Sequence, residues 1–444
     1  MMSKILSRSI RWFISLLLVP LFLFFNAKSS TMDLWNQAEA PKELTETSSA
    51  APLSISPILS WSKDVNAVMY EIEFFDHDPG HISRDMACDD AIYRSRKIYQ
   101  NHYNPPLAEF AGDCLGRKPL YWRVRSLGFD GQPATPFSGT AALYTSRNVL
   151  PMNAPQPIMP PEGAVPLLYP VYNWVPQHDA SSFIVQLFHE DPSQNAAAPL
   201  IDTMISKTAE LYDQKPRYSN EDFFWRVHAV DKDGRMLGEW SKPVRFRTAP
   251  ADHWEVAVFG DSISHGGGHF SFSPADREFS WLTYLEFPAI NLSFSGDTVE
   301  TMLDRFDADV LPFQPKYLLI FDGTNSLRSG VPAEDVIDSF EELKSRCLDA
   351  GIKPIFLTLP PINPANIRGT FGEPTAEDWQ EQFRITNRYL RSQVHIDTAD
   401  AFDEGDLPTK YALDGLHEDV LGKKRIAEAV NDAWAVAREN ADEK

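Results

Sequence analysis

The chain has 444 residues, too many for one ordinary hydrophobic core, so two to four domains of about 100 to 200 residues are expected. Its 62 acidic residues outnumber 41 basic residues and give a formal net charge of -21, which repels phosphate backbones and anionic lipid headgroups alike. We therefore expect no nucleic-acid partner, and because no dinucleotide or phosphate-binding fingerprint occurs, no cofactor is implied.

Residues 1–30 have the pattern of a secretory signal peptide or an amino-terminal anchor. Three basic residues precede the uncharged run 12–25, and small and polar residues follow it. The run is shorter than the roughly 20 apolar residues of a spanning helix, and Pro20 interrupts it, which favours cleavage. Phe25 lies two residues before Ala27, where an Ala-x-Ala cleavage site has a small residue. The alternative is therefore an uncleaved anchor that tethers the chain to a membrane through residues 12–25. Both predict a periplasmic, secreted or extracytoplasmic membrane-anchored protein.

Residues 31–53 are polar and are predicted to form a flexible linker. An internal repeat follows, with predicted copies at 54–148 and 155–249 and a proline-rich linker between them. Each copy has a tryptophan four residues after a proline and a later Trp-Arg-Val segment; these centre on Trp61 and Trp122, and on Trp174 and Trp225. Apolar and polar residues alternate as in half-buried strands. The copies resemble fibronectin type III or immunoglobulin-like modules, which implies two antiparallel β-sandwiches.

The three cysteines differ in their expected state. Export would let Cys88 and Cys114 in the first copy form a disulfide across about 25 residues, with two unpaired thiols as the alternative. Cys347 has helical spacing with Val336 and Phe340, so it is predicted to be a small core residue.

Residues 253–440 alternate between strand-like and helix-like segments. Helices are predicted over 332–350 and 376–391, and apolar runs end at Phe259, Phe294, Phe321 and Leu359. This alternation predicts a parallel sheet with helices on both faces. Ligands of such sheets bind at the carboxyl ends of the strands, where the motifs of this region fall.

Four motifs in residues 253–440 together could supply a nucleophile, a base and an orienting carboxylate. They are Gly260-Asp261-Ser262-Ile263-Ser264, Asn291-Leu292-Ser293-Phe294-Ser295-Gly296, Gly323-Thr324-Asn325 and Asp414-Gly415-Leu416-His417. Serine needs a base within about 3 Å to act as a nucleophile. His417 is the predicted base for Ser262, and Asp414 is predicted to hold the imidazole in the useful tautomer. The alternative is that Gly-Asp-Ser is only a turn.

In this order, the four motifs resemble the consensus blocks of the SGNH hydrolase superfamily, the GDSL esterases and lipases. The resemblance implies a three-layer α/β/α, flavodoxin-like domain and an oxyanion hole formed by the Ser262 amide, the Gly296 amide and the Asn325 side chain. Ser293 and Ser326 depart from residues that are frequent in the family, which puts the shape of the pocket in doubt. Ser264 replaces the last glycine of a Gly-x-Ser-x-Gly elbow, so an ordinary α/β-hydrolase is disfavoured.

His265 and His269 follow the serine, in a glycine-rich segment predicted to form a substrate loop. A metal site is the weaker interpretation, because the glycines disfavour a helix and no carboxylate motif accompanies the pair. Trp281 and Tyr284 are expected in the core.

The expected function is an exported serine esterase that removes O-acetyl groups from a polysaccharide. The acylated polysaccharide follows by analogy, because accessory sandwich modules often accompany carbohydrate-active enzymes. The alternatives are a lipase, lysophospholipase or thioesterase, which an exposed apolar patch around Phe270 and Phe272 would favour; a polysaccharide O-acetyltransferase; and a glycan-binding or envelope scaffold with an inactive hydrolase domain. The oligomeric state is left open.

Overall fold

The structure is a computed structural model that describes residues 39–64, 67–128, 131–160, 163–268 and 276–443. The predicted signal or anchor, His269, Phe270 and Phe272 lie outside the described residues. Residues 40–444 form one compact unit. Among the described residues, none of the helices is both long enough and apolar enough to cross a membrane.

The first β-rich region, residues 53–146, consists of short strands. Its elements are β1 (Leu53–Ser54), β2 (Leu59–Ser60), β3 (Met69–Phe75), β4 (Tyr93–Ile98), β5 (His102–Tyr103), α1 (Leu107–Ala111), β6 (Leu120–Leu127), β7 (Ala141–Leu143) and β8 (Thr145–Ser146). The largest sheet is antiparallel in the order β4-β3-β6-β7, and β2-β5 and β1-β8 form two-stranded pairs. The alternation along β3 puts Tyr70, Ile72 and Phe74 into the core.

The second β-rich region, residues 156–246, repeats this pattern. Its strands are β9 (Gln156–Pro157), β10 (Val171–Val175), β11 (Ser182–Phe188), β12 (Leu200–Ser206), β13 (Glu210–Tyr212), β14 (Phe223–Val230), β15 (Met236–Leu237) and β16 (Val244–Phe246). One sheet has the order β13-β10-β9, and the other β12-β11-β14-β15 with β16 also paired to β14.

The internal repeat is visible in the cores of both regions. Trp61 and Trp122 have ring centroids 6.2 Å apart at 53°, and Trp174 and Trp225 have centroids 6.4 Å apart at 53°. In each copy the strand that carries the second tryptophan donates a backbone N–H to a serine hydroxyl fourteen residues further on, at 3.0 Å. The two copies therefore share side-chain packing as well as sequence, and their identity as fibronectin-like sandwiches stays a prediction.

Part of the predicted flexible linker at 31–53 is bound to the first β-rich region. Lys42 donates its backbone N–H to the Ser62 hydroxyl at 2.8 Å, and the Thr47 hydroxyl bonds the carbonyl of Tyr144 at 3.1 Å. Polar groups of residues 42–53 therefore pair with the first β-rich region, and the flexibility of residues 31–53 stays a prediction. Polar composition alone does not distinguish such pairing from solvation.

Cys88 and Cys114 carry free thiols, so the predicted disulfide is not formed. Cys114 lies in the core with Ile72, whereas the backbone N–H of Cys88 donates to Glu73 Oε1 at 3.0 Å. Because adjacent residues of a strand point to opposite faces, the two cysteines lie on opposite sides of β3.

Residues 256–443 form an α/β domain. Its strands and helices are β17 (Val256–Gly260), α2 (Ser262–His265), β18 (Ile290–Asn291), α3 (Val299–Asp309), β19 (Tyr317–Phe321), α4 (Thr324–Arg328), α5 (Ala333–Asp349), β20 (Lys353–Leu357), α6 (Pro364–Phe371), α7 (Trp379–Arg391), β21 (His395–Ile396) and α8 (Val420–Glu443). Short 3-10 helices span Pro250–Asp252, Arg277–Phe279, Trp281–Tyr284 and Ala399–Ala401.

The sheet of this domain is parallel throughout, as predicted, in the order β18-β17-β19-β20-β21. β17 and β19 are buried along their whole length, which fits their continuous apolar sequences. Helix α5 packs on α3 and on α7, and α8 packs on β20, β21 and the 3-10 helices Arg277–Phe279, Trp281–Tyr284 and Ala399–Ala401. Cys347 and Trp281 are core residues, as expected.

β18 ends earlier than its sequence predicts. The apolar run continues to Phe294, whereas β18 ends at Asn291, whose side-chain oxygen accepts the backbone N–H of Ser293 at 3.0 Å. The backbone still follows β17 beyond this point, because Leu292 donates its N–H to the carbonyl of Val258 at 2.8 Å.

Candidate active site

The turn between β17 and α2 presents Ser262. Gly260 has no substitute here, because a side chain would clash with the carbonyl oxygen of Phe321 on the adjacent strand. Asp261 caps α2 by accepting the N–H of Ile263 at 2.8 Å. Ser262 is then the first residue of the helix and is partly exposed, while its neighbours are buried.

Ser262, His417 and Asp414 form one hydrogen-bonded chain. The distance from Ser262 Oγ to His417 Nε2 is 2.9 Å, and the distance from His417 Nδ1 to Asp414 Oδ2 is also 2.9 Å. A carboxylate accepts a proton donor, so Nδ1 carries hydrogen and Nε2 is left to accept from the serine. The structure therefore brings together the three residues that the sequence singled out, across 155 positions of the chain.

Both carboxylate oxygens of Asp414 accept hydrogen bonds. Its Oδ1 accepts the backbone N–H groups of Leu416 and His417, each at 2.8 Å, which leaves Oδ2 to face the imidazole. Burial raises the pKa of this carboxyl, but the His417 ring and the backbone donors outweigh it and hold the pKa below its usual range. Asp414 therefore stays ionised and orients the ring.

Of the other predicted site residues, Gly296 lies on a loop joined to this turn and Asn325 lies in α4. Phe294 donates its N–H to the carbonyl of Gly260 at 2.9 Å, so the loop that contains Gly296 begins beside the serine turn. Gly296 has a φ of +93°, and the position that a Cβ would take is open. The Asn325 amide donates to the carbonyl of Asp297 at 2.9 Å, and it has a second N–H donor.

A buried cluster of charged groups lies behind the serine. Burial raises the pKa of Asp261 to about 7 and that of Asp322 well above its usual range, with mutual repulsion adding to the effect on Asp322. The Arg305 guanidinium balances this charge, since it bonds Asp297 at 2.6 Å and the carbonyl of Gly260 at 3.2 Å. This arrangement could not be predicted from the sequence, because Arg305 lies on α3 at ordinary helical spacing.

A lysine from α8 supports the serine turn from another side. Lys423 is fully buried, and its Nζ donates to the carbonyl of Ile263 at 2.7 Å and to Glu418 Oε2 at 3.3 Å. Sequence reasoning missed this contact, although Lys423 has helical spacing with the apolar residues Val420 and Ile426, which was a usable signal.

His265 does not belong to an exposed substrate loop, contrary to the prediction. It is fully buried, with Nδ1 2.8 Å from Ser295 Oγ and Nε2 2.8 Å from the carbonyl oxygen of Tyr169. Burial lowers its pKa to about 4. The cause of the wrong prediction is that a strand segment from the second β-rich region covers this side of the domain.

Histidine, cysteine and acidic side chains do not form a metal-binding group of three or more within the described ranges. A cavity of about 820 Å³ lies where the two β-rich regions meet residues 276–279. Tyr70, Trp225 and Arg277 are among its lining residues, whereas Ser262 and His417 are not. The size of a cavity identifies no chemistry, so the hydrogen-bonded serine is the better candidate for a catalytic centre.

Residues 258–425 match the model of the GDSL-like Lipase/Acylhydrolase family. A protein of Bacillus subtilis (strain 168), named an uncharacterized lipoprotein, is 31% identical over 128 residues, which are 25% of this chain and 51% of the relative. The chain thus spans about half the length of that relative.

Two solved structures are also similar. A GDSL-like lipase from Bacteroides thetaiotaomicron is 17% identical, with a TM-score of 0.35, over 42% of this chain and 90% of its own. An acetylxylan esterase from Geobacillus stearothermophilus is 21% identical, with a TM-score of 0.31, over 39% of this chain and 90% of its own. The family match identifies the carboxyl-terminal region as a GDSL-like acylhydrolase domain.

Proposed function

We propose that this protein is an exported serine esterase that removes O-acetyl groups from a polysaccharide through an acyl-enzyme. The observation that carries the proposal is the chain of two 2.9 Å contacts from Ser262 through His417 to Asp414, inside the region that matches the acylhydrolase family. Nucleophile, base and orienting carboxylate within hydrogen-bond reach are the parts that acyl transfer needs.

The first half of the reaction makes the acyl-enzyme. Ser262 Oγ attacks the ester carbonyl carbon while its proton passes to His417 Nε2. Asp414 stabilises the imidazolium that forms. The tetrahedral intermediate collapses as His417 returns the proton to the leaving alkoxide oxygen, which departs as the sugar hydroxyl and leaves an acetyl group on Ser262.

Water completes the cycle by the same route. His417 takes a proton from a water molecule, whose oxygen attacks the acetyl carbonyl carbon. Collapse of the second tetrahedral intermediate breaks the bond to Ser262 Oγ, which regains the proton from His417. Acetate is released, and the enzyme returns to its starting state.

Negative charge on the carbonyl oxygen is stabilised by the Ser262 amide, the Gly296 amide and the Asn325 side chain. The N–H of Ser262 is in the first turn of α2, where backbone donors have no acceptor within the helix. Gly296 is exposed. The hydrogen bond from the Asn325 side chain to the carbonyl of Asp297 holds the Asn325 amide beside the loop that contains Gly296. Loss of one such donor typically costs roughly a hundred- to a thousandfold in rate.

Two further features support the choice of substrate and location. The two β-rich regions that precede the hydrolase domain resemble modules that often accompany carbohydrate-active enzymes, which favours a polysaccharide. The Bacillus subtilis relative is named a lipoprotein, and residues 1–30 of this chain have the pattern of an export signal, which together favour an envelope or extracellular location.

The test is release of acetate from p-nitrophenyl acetate and from acetylated xylan, pectin and bacterial exopolysaccharides. The chain from residue 31 onward is suitable, because residues 40–444 form one compact unit. Ser262→Ala is expected to lower kcat/KM at least about a thousandfold. The matched control is Ser339→Ala on α5, whose hydroxyl bonds the carbonyl of Asp335 at 3.1 Å within its own helix.

The polymer with the highest kcat/KM identifies the substrate class. Faster hydrolysis of long acyl chains would replace the polysaccharide by a lipid, and transfer of acetyl to an added sugar in preference to water would make the protein an acetyltransferase. Equal rates for Ser262→Ala and Ser339→Ala would refute serine catalysis.

A further inference from the structure

A segment of the second β-rich region runs along the free side of β18. Leu168 donates its N–H to the carbonyl of Asn291 at 2.9 Å, and Asn291 donates its N–H to the carbonyl of Pro166 at 3.0 Å. Leu167 pairs with Asn291 in parallel register. Leu168 and Tyr169 are buried among the core residues of the hydrolase domain. The second β-rich region therefore extends the catalytic sheet by one strand-like segment.

This segment ends at the buried His265. The carbonyl oxygen of Tyr169 can only accept, so His265 Nε2 carries the proton that points to it. The ring is neutral near pH 7 because burial lowers its pKa to about 4. Its Nδ1 is then an acceptor, and the Ser295 hydroxyl donates to it at 2.8 Å.

Ser295 is the residue immediately before Gly296. Aromatic rings pack on Phe294, the residue before Ser295: the centroid of Phe294 lies 4.7 Å from that of Tyr169 and 5.7 Å from that of Tyr212. The Tyr212 ring also lies 5.0 Å from the His265 ring. Tyr169 and Tyr212 both belong to the second β-rich region, so this region packs on the loop at the point where it turns toward Gly296.

Tyr169 also reaches the residue that follows Gly296. Its hydroxyl donates to Asp309 Oδ2 at 2.5 Å, and the same oxygen accepts from Arg305 at 2.9 Å. Arg305 in turn bonds Asp297 at 2.6 Å. One tyrosine is thus connected to both neighbours of Gly296. Its carbonyl reaches Ser295 through His265, and its hydroxyl reaches Asp297 through Asp309 and Arg305.

We propose that Tyr169, acting through His265 and Ser295, holds the Gly296 amide in the orientation that the oxyanion needs. Tyr169 and His265 are positioning residues, because neither reaches the proposed site of the reacting atoms directly. The proposal rests on the function proposed above, and it makes the second β-rich region part of the catalytic unit. A donor misplaced by a fraction of an ångström stabilises the transition state less and binds the ground state about equally.

The test compares variants that break this chain at different atoms. Ser295→Ala removes the hydroxyl, and His265→Gln keeps a donor for the Tyr169 carbonyl while losing the acceptor at the Nδ1 position. Both are expected to lower kcat on p-nitrophenyl acetate about tenfold with KM changed less than about twofold. His265→Asn keeps an acceptor at the Nδ1 position but loses the donor to the Tyr169 carbonyl, so it is expected to lower kcat as His265→Gln does.

Two further readouts separate positioning from simple loss of stability. Affinity for a boronic acid, whose serine adduct mimics the tetrahedral intermediate, should fall about as much as kcat. The double variant of His265→Gln and Ser295→Ala should lose no more than either single change, because both break one chain.

The matched control is His228→Asn. His228 is a buried histidine of the same region whose Nδ1 lies 2.8 Å from the carbonyl of Ala229, away from the hydrolase domain. It is expected to lower Tm as the His265 variants do while kcat stays at the wild-type value. If Ser295→Ala folds and keeps the wild-type kcat, or if kcat follows Tm in every variant including the control, the positioning role is refuted.

The outcomes also distinguish this inference from the proposed function. A wild-type protein without esterase activity, or a Ser262→Ala protein that retains it, refutes the proposed function. An active wild type with an inactive Ser262→Ala and an unaffected Ser295→Ala refutes only the positioning role. Ser295 is partly exposed, so its variant is informative even if changes at the buried His265 prevent folding.

Discussion

The two β-rich regions share a tryptophan pair in their cores but contact the hydrolase domain differently. The second region contributes Leu168 and Tyr169 to the buried core of that domain. The first region contacts it through Lys63, which pairs with Asp276 at 2.7 Å and Glu278 at 2.6 Å and is about 30% exposed. Buried packing contributes several kcal/mol, whereas an exposed ion pair rarely contributes more than about 1 kcal/mol. Equivalent copies of a repeat can therefore contribute unequally to the stability of the hydrolase domain.

The sharpest test of this difference uses equivalent positions of the repeat. Leu168 and Ile55 each lie two residues before the shared proline, but Leu168 is fully buried and Ile55 only partly. Leu168→Ala should lower the free energy of unfolding by about 2 to 5 kcal/mol, and Ile55→Ala by less. Urea denaturation measures both.

Esterase activity gives the second readout of that pair. Leu168→Ala should reduce kcat at temperatures where the variant is still folded, because its strand-like segment leads directly into Tyr169. Ile55→Ala should leave kcat unchanged. Equal effects of the two changes on stability and kcat would remove the distinction between the regions.

The pH dependence of stability probes the junction at His265. Its pKa is lowered from 6.5 to about 4 in the folded protein, so the unfolded chain binds the proton first. The stability that the neutral ring contributes is present above pH 6.5 and is lost as the pH falls toward about 4. The free energy of unfolding of the wild type, measured relative to His265→Asn, should therefore fall by up to about 3 kcal/mol.

His228→Asn is again the control variant, because it also replaces a buried histidine of the second β-rich region, and its free energy of unfolding is measured over the same pH range. Asp261, whose pKa is raised to about 7, changes stability in the opposite sense over this range, but it is present in all the proteins and cancels in the difference. A difference between wild type and His265→Asn that does not vary with pH would mean that the ring is not kept neutral by burial.

The smallest effect is expected at the contact of the first region. Lys63→Ala removes two partly exposed ion pairs and should lower the free energy of unfolding by about 1 kcal/mol or less, with a further decrease of the effect at high salt. The kcat should not change. A loss of kcat in Lys63→Ala comparable to that in Ser295→Ala would show that the first region also acts on the catalytic centre.

The candidate site was predictable from sequence where its residues lie at the ends of strands. Ser262 follows a buried strand, and the Asp-Gly-Leu-His motif precedes the last helix, so the order of motifs predicted which side chains meet. The parallel sheet followed from the alternation of apolar runs and helical segments. The prediction of the site residues and the prediction of the parallel sheet both depend on short sequence patterns that correspond to single strands, helices and turns of the structure.

The contacts that join the regions were not predictable in the same way. The carbonyl of Tyr169 meets His265 across 96 positions, and a backbone acceptor leaves no trace in side-chain identity. The glycines after His265 indicated a loop, but burial there is decided by a segment from another region. For the same reason Cys88 and Cys114 looked like a pair in sequence, although β3 separates them.

Covalent labelling with a fluorophosphonate tests the central claim most directly, because such reagents react with a serine only when a base activates it. The expected result is one phosphonyl group per chain, located at Ser262 by mass spectrometry and absent from Ser262→Ala, with acetate release lost in proportion to labelling. Labelling at another residue, or an unlabelled wild type that still releases acetate, would contradict the assignment of Ser262 as the nucleophile.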